Sequence, residues 1–230
     1  MSISEPNLLA DFPLFRGLTP KQVAWITERL RYRTFPAGTN VITVEQPGEV
    51  VYFVLKGTVK IHVEQAGGSD VIFNIVGRGD IIGEMSLLEG GQRSASVITL
   101  EEATLLWMDR HSFIEALRIM PELSLNLLRT LSARLRLSNE MFQALSTLDV
   151  YGRIAHQLLM FANKYGCDND QQAFQIPLRL TQGDIAELVG ASRKRVNQVM
   201  VSFKRQGIIS VDDEGRVTIL QAEALARFSR

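Results

Sequence analysis

GEMSLLEGGQRSASV, residues Gly83 to Val97, decides how the first half of this chain is read. A Gly-Glu pair is followed, nine residues after the Glu, by an Arg-Ser pair, with small and apolar residues between. That spacing lets a short turn fold over one small anion. Gly83 permits close backbone approach. Arg93 brings a permanently charged fork suited to phosphate oxygens, and Ser94 adds a hydroxyl and a backbone N–H. Glu84 accepts hydrogen bonds only, so it suits a ribose hydroxyl and repels a phosphate. The plainer alternative is a β-hairpin whose Glu and Arg form a surface ion pair.

Outward from this stretch, Arg33 to Met108 alternates short β-branched or aromatic runs with glycine turns, the pattern of a sandwich, barrel or roll. The runs are Val50–Leu55, Thr58–Val63, Val71–Val76, Ser94–Thr99 and Thr104–Met108, punctuated by Gly57, Gly67-Gly68, Gly77 and Gly79. Before them, Thr19 and Gln22 form a predicted capping box with Pro20 at the first helical position. After them, a helix is predicted from Ser112 and a longer one from near Pro121. Heptads read from Leu128 give Leu128, Leu131, Leu135, Ser138, Phe142, Leu145 and Asp149, apolar at five of the seven positions. A second stripe of Leu127, Leu137, Met141 and Leu148 can face the roll. Two stripes on one helix suggest that one packs on its own domain and the other on a partner; a single stripe would need only a core.

The C-terminal third has a different grammar. LTQGDIAELVG and SRKRVNQVMVSFKRQG predict two helices separated by a turn at Gly190. Thr181 caps the first and Ser192 the second. Val196, Val199, Met200 and Phe203 face inward, which leaves Arg193, Lys194, Arg195, Asn197 and Gln198 outward, the residue types that read base edges. Ile208–Val211 and Arg216–Ile219 flank Asp212-Asp213-Glu214-Gly215 as a hairpin, or wing. A solvated basic face is the alternative to DNA binding here.

The chain has 230 residues, 46% hydrophobic, with no formal net charge. Residues 1–150 carry 14 basic and 17 acidic side chains, and residues 151–230 carry 11 and 8, so the basic excess lies in the last third. No apolar run approaches about 18 residues, so no transmembrane span is expected. MSISEPNLLADFPLF lacks the basic and apolar regions of a secretory signal, which points to the cytoplasm. One cysteine, Cys167, excludes an internal disulfide and a cysteine-ligated iron–sulfur cluster within one chain. His62, His111 and His156 lack metal spacing, so no metal is expected. No nucleophile elbow, P-loop or kinase motif is present, and the chain is not expected to be an enzyme.

The fifteen-residue stretch closely resembles the phosphate-binding cassette of cyclic-nucleotide-binding domains. The long helix and C-terminal third resemble the CRP/FNR family of transcription factors, so the likeness covers nearly the whole chain. It implies an α+β chain with a cyclic-nucleotide-binding β-roll over 1–120, a dimerisation helix over 121–148 and a winged helix-turn-helix over 149–230. The implied ligand-binding residues are Gly83, Glu84, Met85, Ser86, Arg93, Ser94, Ser138 and Asn139. In the family, Glu84's counterpart takes the ribose 2′-OH and the Arg-Ser pair the cyclic phosphate. A mid-helix Thr-Ser pair takes the base, where this chain has Ser138 and Asn139. The implied DNA-binding residues are Ser192, Arg193, Lys194, Arg195, Asn197 and Gln198. Lys194 replaces an acidic reader and Gln198 an arginine, so an identical operator is not to be assumed. A homodimer on a palindromic operator is expected, with cyclic AMP as effector. Cyclic di-GMP, a ligand-independent regulator and a regulatory module of an enzyme are the alternatives. Arg134 and Arg136 are candidates for a second guanine or phosphate, or else solvated arginines. Lys164–Ala173 lies where family activators touch RNA polymerase, a candidate partner, but its sequence does not match closely enough to carry that role.

Overall fold

The computed structural model describes residues 9–10, 12–65, 70–168 and 173–229. The predicted Gly67-Gly68 turn and residues 169–172 of the polar stretch lie outside them. The chain divides into two compact units, residues 1–61 with 76–137 and residues 62–75 with 138–230.

Helix α1 (Pro20–Arg29) starts as the sequence dictates. The Thr19 hydroxyl accepts from the Gln22 N–H, and the Gln22 side chain accepts from the Thr19 N–H at 2.8 Å. Eight strands follow: β1 (Arg31–Phe35), β2 (Asn40–Ile42), β3 (Val50–Lys56), β4 (Val59–Glu64), β5 (Asp70–Val76), β6 (Ile81–Ile82), then β7 (Ser96–Thr99) and β8 (Ala103–Asp109) after helix α2 (Glu84–Glu89). They form two four-stranded sheets ordered β1-β8-β3-β6 and β2-β7-β4-β5. The five runs read from sequence are all strands. β1, β2 and β6 escaped that reading. The first four residues of β1 are exposed because it is an edge strand, so no apolar alternation marks it. β6 has only two residues.

Two cores share the strands β3 and β8 by alternation. Val51, Phe53, Leu106 and Met108 point into a core with Phe12, Phe15, Ile26, Phe113, Leu123 and Leu127. Val54, Leu105 and Ala103 point the other way, to Phe35, Ile42, Val59, Val76, Ile82 and Val97 inside the roll. Strands buried on both faces read as continuous apolar runs, which is why β3 and β8 were legible. Phe53 sits at the centre of the first core, with Phe12, Phe15 and Phe113 all within 6.3 Å by ring centroid. Full burial of such a side chain stabilises by about 1.5–3 kcal/mol.

Helix α3 (Arg110–Ile119) begins two residues earlier than predicted, because Asp109 and not a later residue is its N-cap, accepting from the Ser112 N–H at 2.9 Å. Helix α4 (Pro121–Thr147) is one uninterrupted helix. Four of the five apolar residues of its first stripe face solvent: Leu128 is 61%, Leu135 65% and Phe142 70% exposed, with Leu145 exposed as well; the fifth, Leu131, does not. Leu127 and Leu131 pack on the first core.

In the second unit, helix α5 (Val150–Tyr165) is capped by Asp149 through the Gly152 N–H. Strands β9 (Cys167–Asp168) and β10 (Phe174–Gln175) pair antiparallel. Helices α6 (Gln182–Leu188) and α7 (Arg193–Arg205) follow, then β11 (Ile209–Val211), β12 (Val217–Ile219) and helix α8 (Ala222–Ala226). The sheet order is β11-β12-β10-β9. Phe203 and Phe228 (centroids 5.1 Å apart) and Tyr151 (5.7 Å from Phe203) tie α5, α7 and the C-terminus together. This is the α+β architecture expected from the sequence. Among the described residues, no helix is long and apolar enough to cross a membrane.

Candidate functional site

The cassette is built on the end of the first sheet. β6 pairs with β3, Tyr52 opposite Ile82 and Phe53 opposite Ile81. Gly83 then turns the chain with φ +80°, and α2 occupies residues read from sequence as a simple turn. A Cβ on Gly83 would lie 2.6 Å from Arg93 Nη1, so both the backbone angle and the space require glycine. Gly90, at φ +74°, ends α2. The returning segment is stitched to residues 45–47: the Arg93 N–H donates to the Gln46 carbonyl at 2.9 Å and the Glu45 N–H to the Arg93 carbonyl at 3.1 Å.

Arg93 is 6% exposed and Glu84 3%. Arg93 Nη1 donates to the Gly83 carbonyl at 2.8 Å and to Ser86 Oγ at 3.0 Å, and Nη2 donates to the Val50 carbonyl at 2.6 Å. A guanidinium has five N–H donors. Three are therefore spent on the cassette's own frame, and Nε–H and one Nη2–H have no partner among the described residues. Burial pulls the Arg93 guanidinium below its ordinary pKa, opposed by Tyr52, Glu84 and Glu49. The same burial pushes the Tyr52 phenol up, opposed by Arg93 and Arg33. Ser86 is buried under Arg93, whereas Met85 and Ser94 are exposed.

Glu84 already has a cation. Arg134 of α4 donates from Nη1 to Glu84 Oε1 at 2.7 Å, bonds the Ile81 carbonyl, and lies 4.0 Å from Asp80. Its side chain is only 20% exposed, so it is not the solvated arginine that was one of its two expected states. Asp80 is held in turn by the Gly77 N–H at 3.2 Å. Two arginines and two carboxylates thus cluster at the cassette. Sequence reasoning missed the Glu84–Arg134 pair and Asp80. The available signal was a cation at 134 on the same helical face as Leu127 and Leu131, where an apolar residue would otherwise fall. Ser138 and Asn139 lie exposed on α4 in the second unit.

The helix pair α6–α7 is fixed by local chemistry. Thr181 and Asp184 form a reciprocal capping box. Gly190 turns at φ +60°, and the Ser192 hydroxyl accepts from the Arg195 N–H at 3.3 Å. Val196, Val199, Met200 and Phe203 are buried, and Arg193, Lys194, Arg195, Asn197 and Gln198 are all exposed, as expected. Gln182 Nε2 donates to Asn197 Oδ1 at 3.1 Å, and Arg195 Nη1 to Gln198 Oε1 at 3.3 Å. Arg195 also lies over the Tyr151 ring, 5.5 Å from its centroid. The wing hairpin is closed by the Asp212 carboxylate, which accepts from the N–H groups of Glu214 and Arg216. Among the described residues, no cluster of His, Cys, Asp or Glu could hold a metal.

Two family models match the chain: the cyclic nucleotide-binding domain over residues 32–119 and the Crp-like helix-turn-helix domain over residues 152–228. The CRP-like cAMP-activated global transcriptional regulator of Mycobacterium tuberculosis is 36% identical over 97% of this chain and 99% of its own. The cyclic AMP receptor protein of Thermus thermophilus is 29% identical over 93% and 94%. The fold matches the structure of FixK2 from Bradyrhizobium japonicum at a TM-score of 0.77 and 17% identity, covering 87% of this chain and 98% of that one.

Proposed function

We propose, for a chain that belongs to the CRP/FNR family of cyclic-nucleotide-binding, DNA-binding transcription regulators, a homodimer that senses cyclic AMP and then grips a palindromic operator. The observation that carries the ligand half is Arg93, a buried guanidinium with two N–H donors to spare beside a buried carboxylate. A cyclic phosphate supplies the anion those donors lack, with Ser94 as a further donor. The ribose 2′-OH donates to Glu84. Ser138 and Asn139 are the proposed base contacts. The relatives from Mycobacterium tuberculosis and Thermus thermophilus, described as cAMP-activated and as a cyclic AMP receptor, favour cyclic AMP among the effectors.

The mechanism follows from what Glu84 must share. A 2′-OH at Glu84 competes with, or joins, the Arg134 fork, and Arg134 belongs to α4. Ligand therefore biases the helix whose exposed stripe, Leu128, Leu135, Phe142 and Leu145, suits a second copy. Ser138 interrupts that stripe. Coupling between ligand and DNA is a shared free energy, so each must tighten the other by the same factor. The cytoplasm is the compartment such a regulator works in, and RNA polymerase is a candidate partner once it is on DNA.

The test is calorimetry on the purified protein with cyclic AMP, cyclic GMP and cyclic di-GMP, paired with operator titration. Saturable binding of cyclic AMP that tightens DNA binding supports the reading. Binding of cyclic di-GMP alone, or DNA affinity that ignores every nucleotide, removes it.

A further inference from the structure

Tyr52 lies on β3 directly opposite Ile82 of β6, the residue before Gly83. Arg93 straddles the end of this strand pair, with Nη1 on the Gly83 carbonyl and Nη2 on the Val50 carbonyl. Val50 is two residues from Tyr52, about 6–7 Å along the same strand. Both side chains lie on the inner side of the roll. Tyr52 packs against the roll core, with its ring edge-on to Phe35 and the centroids 6.5 Å apart. A Cβ on Gly83 would lie 2.6 Å from Arg93 Nη1 and 3.1 Å from the core residue Ile42, which puts the guanidinium on that side too. The two groups also act on each other. Among the charges around Arg93, Tyr52 has the largest influence, ahead of Glu84. Among those around Tyr52, Arg93 comes first and Arg33 second. Arg33 lies over the Phe35 ring, 4.8 Å from its centroid. Among the described residues, the Tyr52 hydroxyl makes no hydrogen bond.

We infer that Tyr52 is a further ligand-binding residue of the cassette: its phenol O–H donates to one exocyclic oxygen of the phosphate that Arg93 draws in. Packing alone asks only for the ring, which phenylalanine would supply. The hydroxyl adds a donor next to a buried guanidinium that still has two N–H groups to give. Burial pushes the phenol above its ordinary pKa, so it keeps its proton at neutral pH and remains a donor. A neutral donor also suits this place better than a third cation, which Arg93 and Arg33 would repel. The two exocyclic oxygens of a cyclic phosphate are then unequal, since one faces the phenol and the other does not.

This inference rests on the cyclic-nucleotide reading of the cassette, and one set of titrations separates the two. Calorimetry on the full-length protein compares wild type with Tyr52→Phe. The ligands are cyclic AMP and its Rp and Sp phosphorothioates, each of which replaces one exocyclic oxygen with sulfur, a weak acceptor. Tyr52→Phe keeps the ring against Phe35 and strands no partner, so it should melt with wild type. It should bind cyclic AMP about tenfold more weakly, the loss of one hydrogen bond to a charged acceptor. The same substitution should cost one phosphorothioate about tenfold and the other less than about twofold, because in the second the sulfur already stands where the phenol donates. Equal losses for all three ligands overturn the inference, since Tyr52 would then act only by positioning Arg93. Unchanged affinity for cyclic AMP overturns it as well. Either result leaves the phosphate contact of Arg93 standing. Wild-type protein that binds none of the three removes the cyclic-nucleotide reading and the inference together.

Discussion

The cassette and the recognition helix both depend on arginines, and they treat them in opposite ways. Arg93 and Arg134 are buried or nearly so: Arg93 is pinned by the Gly83 and Val50 carbonyls and the Ser86 hydroxyl, and Arg134 by the Glu84 carboxylate and the Ile81 carbonyl with Asp80 4.0 Å away. Arg193 and Lys194 stand in solvent with no carboxylate on their helix. A buried charge is costly unless its partners are fixed beforehand, so the cassette holds its arginines in a frame of fixed acceptors. An exposed charge is cheap to keep and is neutralised on contact with a polyanion, with release of counterions. On the proposed reading, the same side chain thereby serves as a small-ligand receptor in one unit and as a salt-sensitive macromolecular contact in the other.

The largest effect expected from breaking this contrast lies in the helix that serves both parts. Leu135→Glu with Phe142→Glu puts charge where the exposed stripe of α4 would meet its copy. Burying each of those side chains is worth about 1.5–3 kcal/mol, so self-association should weaken by two or more orders of magnitude or so. Sedimentation equilibrium reads the change. A wild-type protein that is already monomeric at micromolar concentration would leave the palindromic operator without a basis.

Next is Arg93→Ala. Truncating one partner of a buried charged contact costs roughly 2–5 kcal/mol, so cyclic AMP binding should fall about a hundredfold. The variant should also melt at lower temperature, because the Gly83 and Val50 carbonyls lose their donor. Calorimetry and thermal melting read the two effects separately. Unchanged affinity in a folded variant would take the phosphate away from Arg93. Glu84→Ala should penalise cyclic AMP more than its 2′-deoxy analogue, and equal losses would take the ribose away from Glu84.

Arg193→Ala is expected to cost about 1–3 kcal/mol at one base position, relaxing preference there. Lys204→Ala, at the far end of α7, should instead weaken all sequences alike and lower the salt slope by about one. Binding titrations against matched and mismatched duplexes at several salt concentrations distinguish them. Identical behaviour of the two variants would dissolve the division of α7 into reading and gripping parts.

The smallest expected effect is a pH dependence. Burial by itself would raise the Asp109 carboxyl, but the Ser112 N–H and hydroxyl outweigh it and hold it below its ordinary value. A depressed carboxyl stabilises the fold above its unfolded value, near 4. That contribution is lost as pH falls through the folded value. Asp109→Asn still caps α3 and should melt close to wild type at neutral pH, with less loss on acidification. A parallel acid profile for both proteins would show that the cap carries no proton linkage.

Much of this was legible because it is local. Thr19-Gln22, Thr181-Asp184, Ser192 and Gly190 sit within a few residues of the backbone groups they satisfy, so helix ends and the α6–α7 turn could be read from neighbours. The runs of β3 and β8 announced themselves because both faces are buried. The edge strand β1 and the two-residue β6 did not, since pairing and not composition makes them strands. The cassette's pattern named its residues but gave them no positions.

By itself, the sequence determined the longer strand runs, the capped helices, the α+β class and the chemical types gathered at each site, because caps, turns and hydrophobic periods act over one or two helical turns. Only the tertiary structure decided that Arg134 would meet Glu84 across fifty residues, that Arg93 would spend three donors on its own frame, and that Gln182 would occupy the carbonyl of Asn197. Those pairings depend on how sheets and helices stack. A charged side chain finds its partner only after burial has removed water as a competitor and brought distant segments within hydrogen-bond reach.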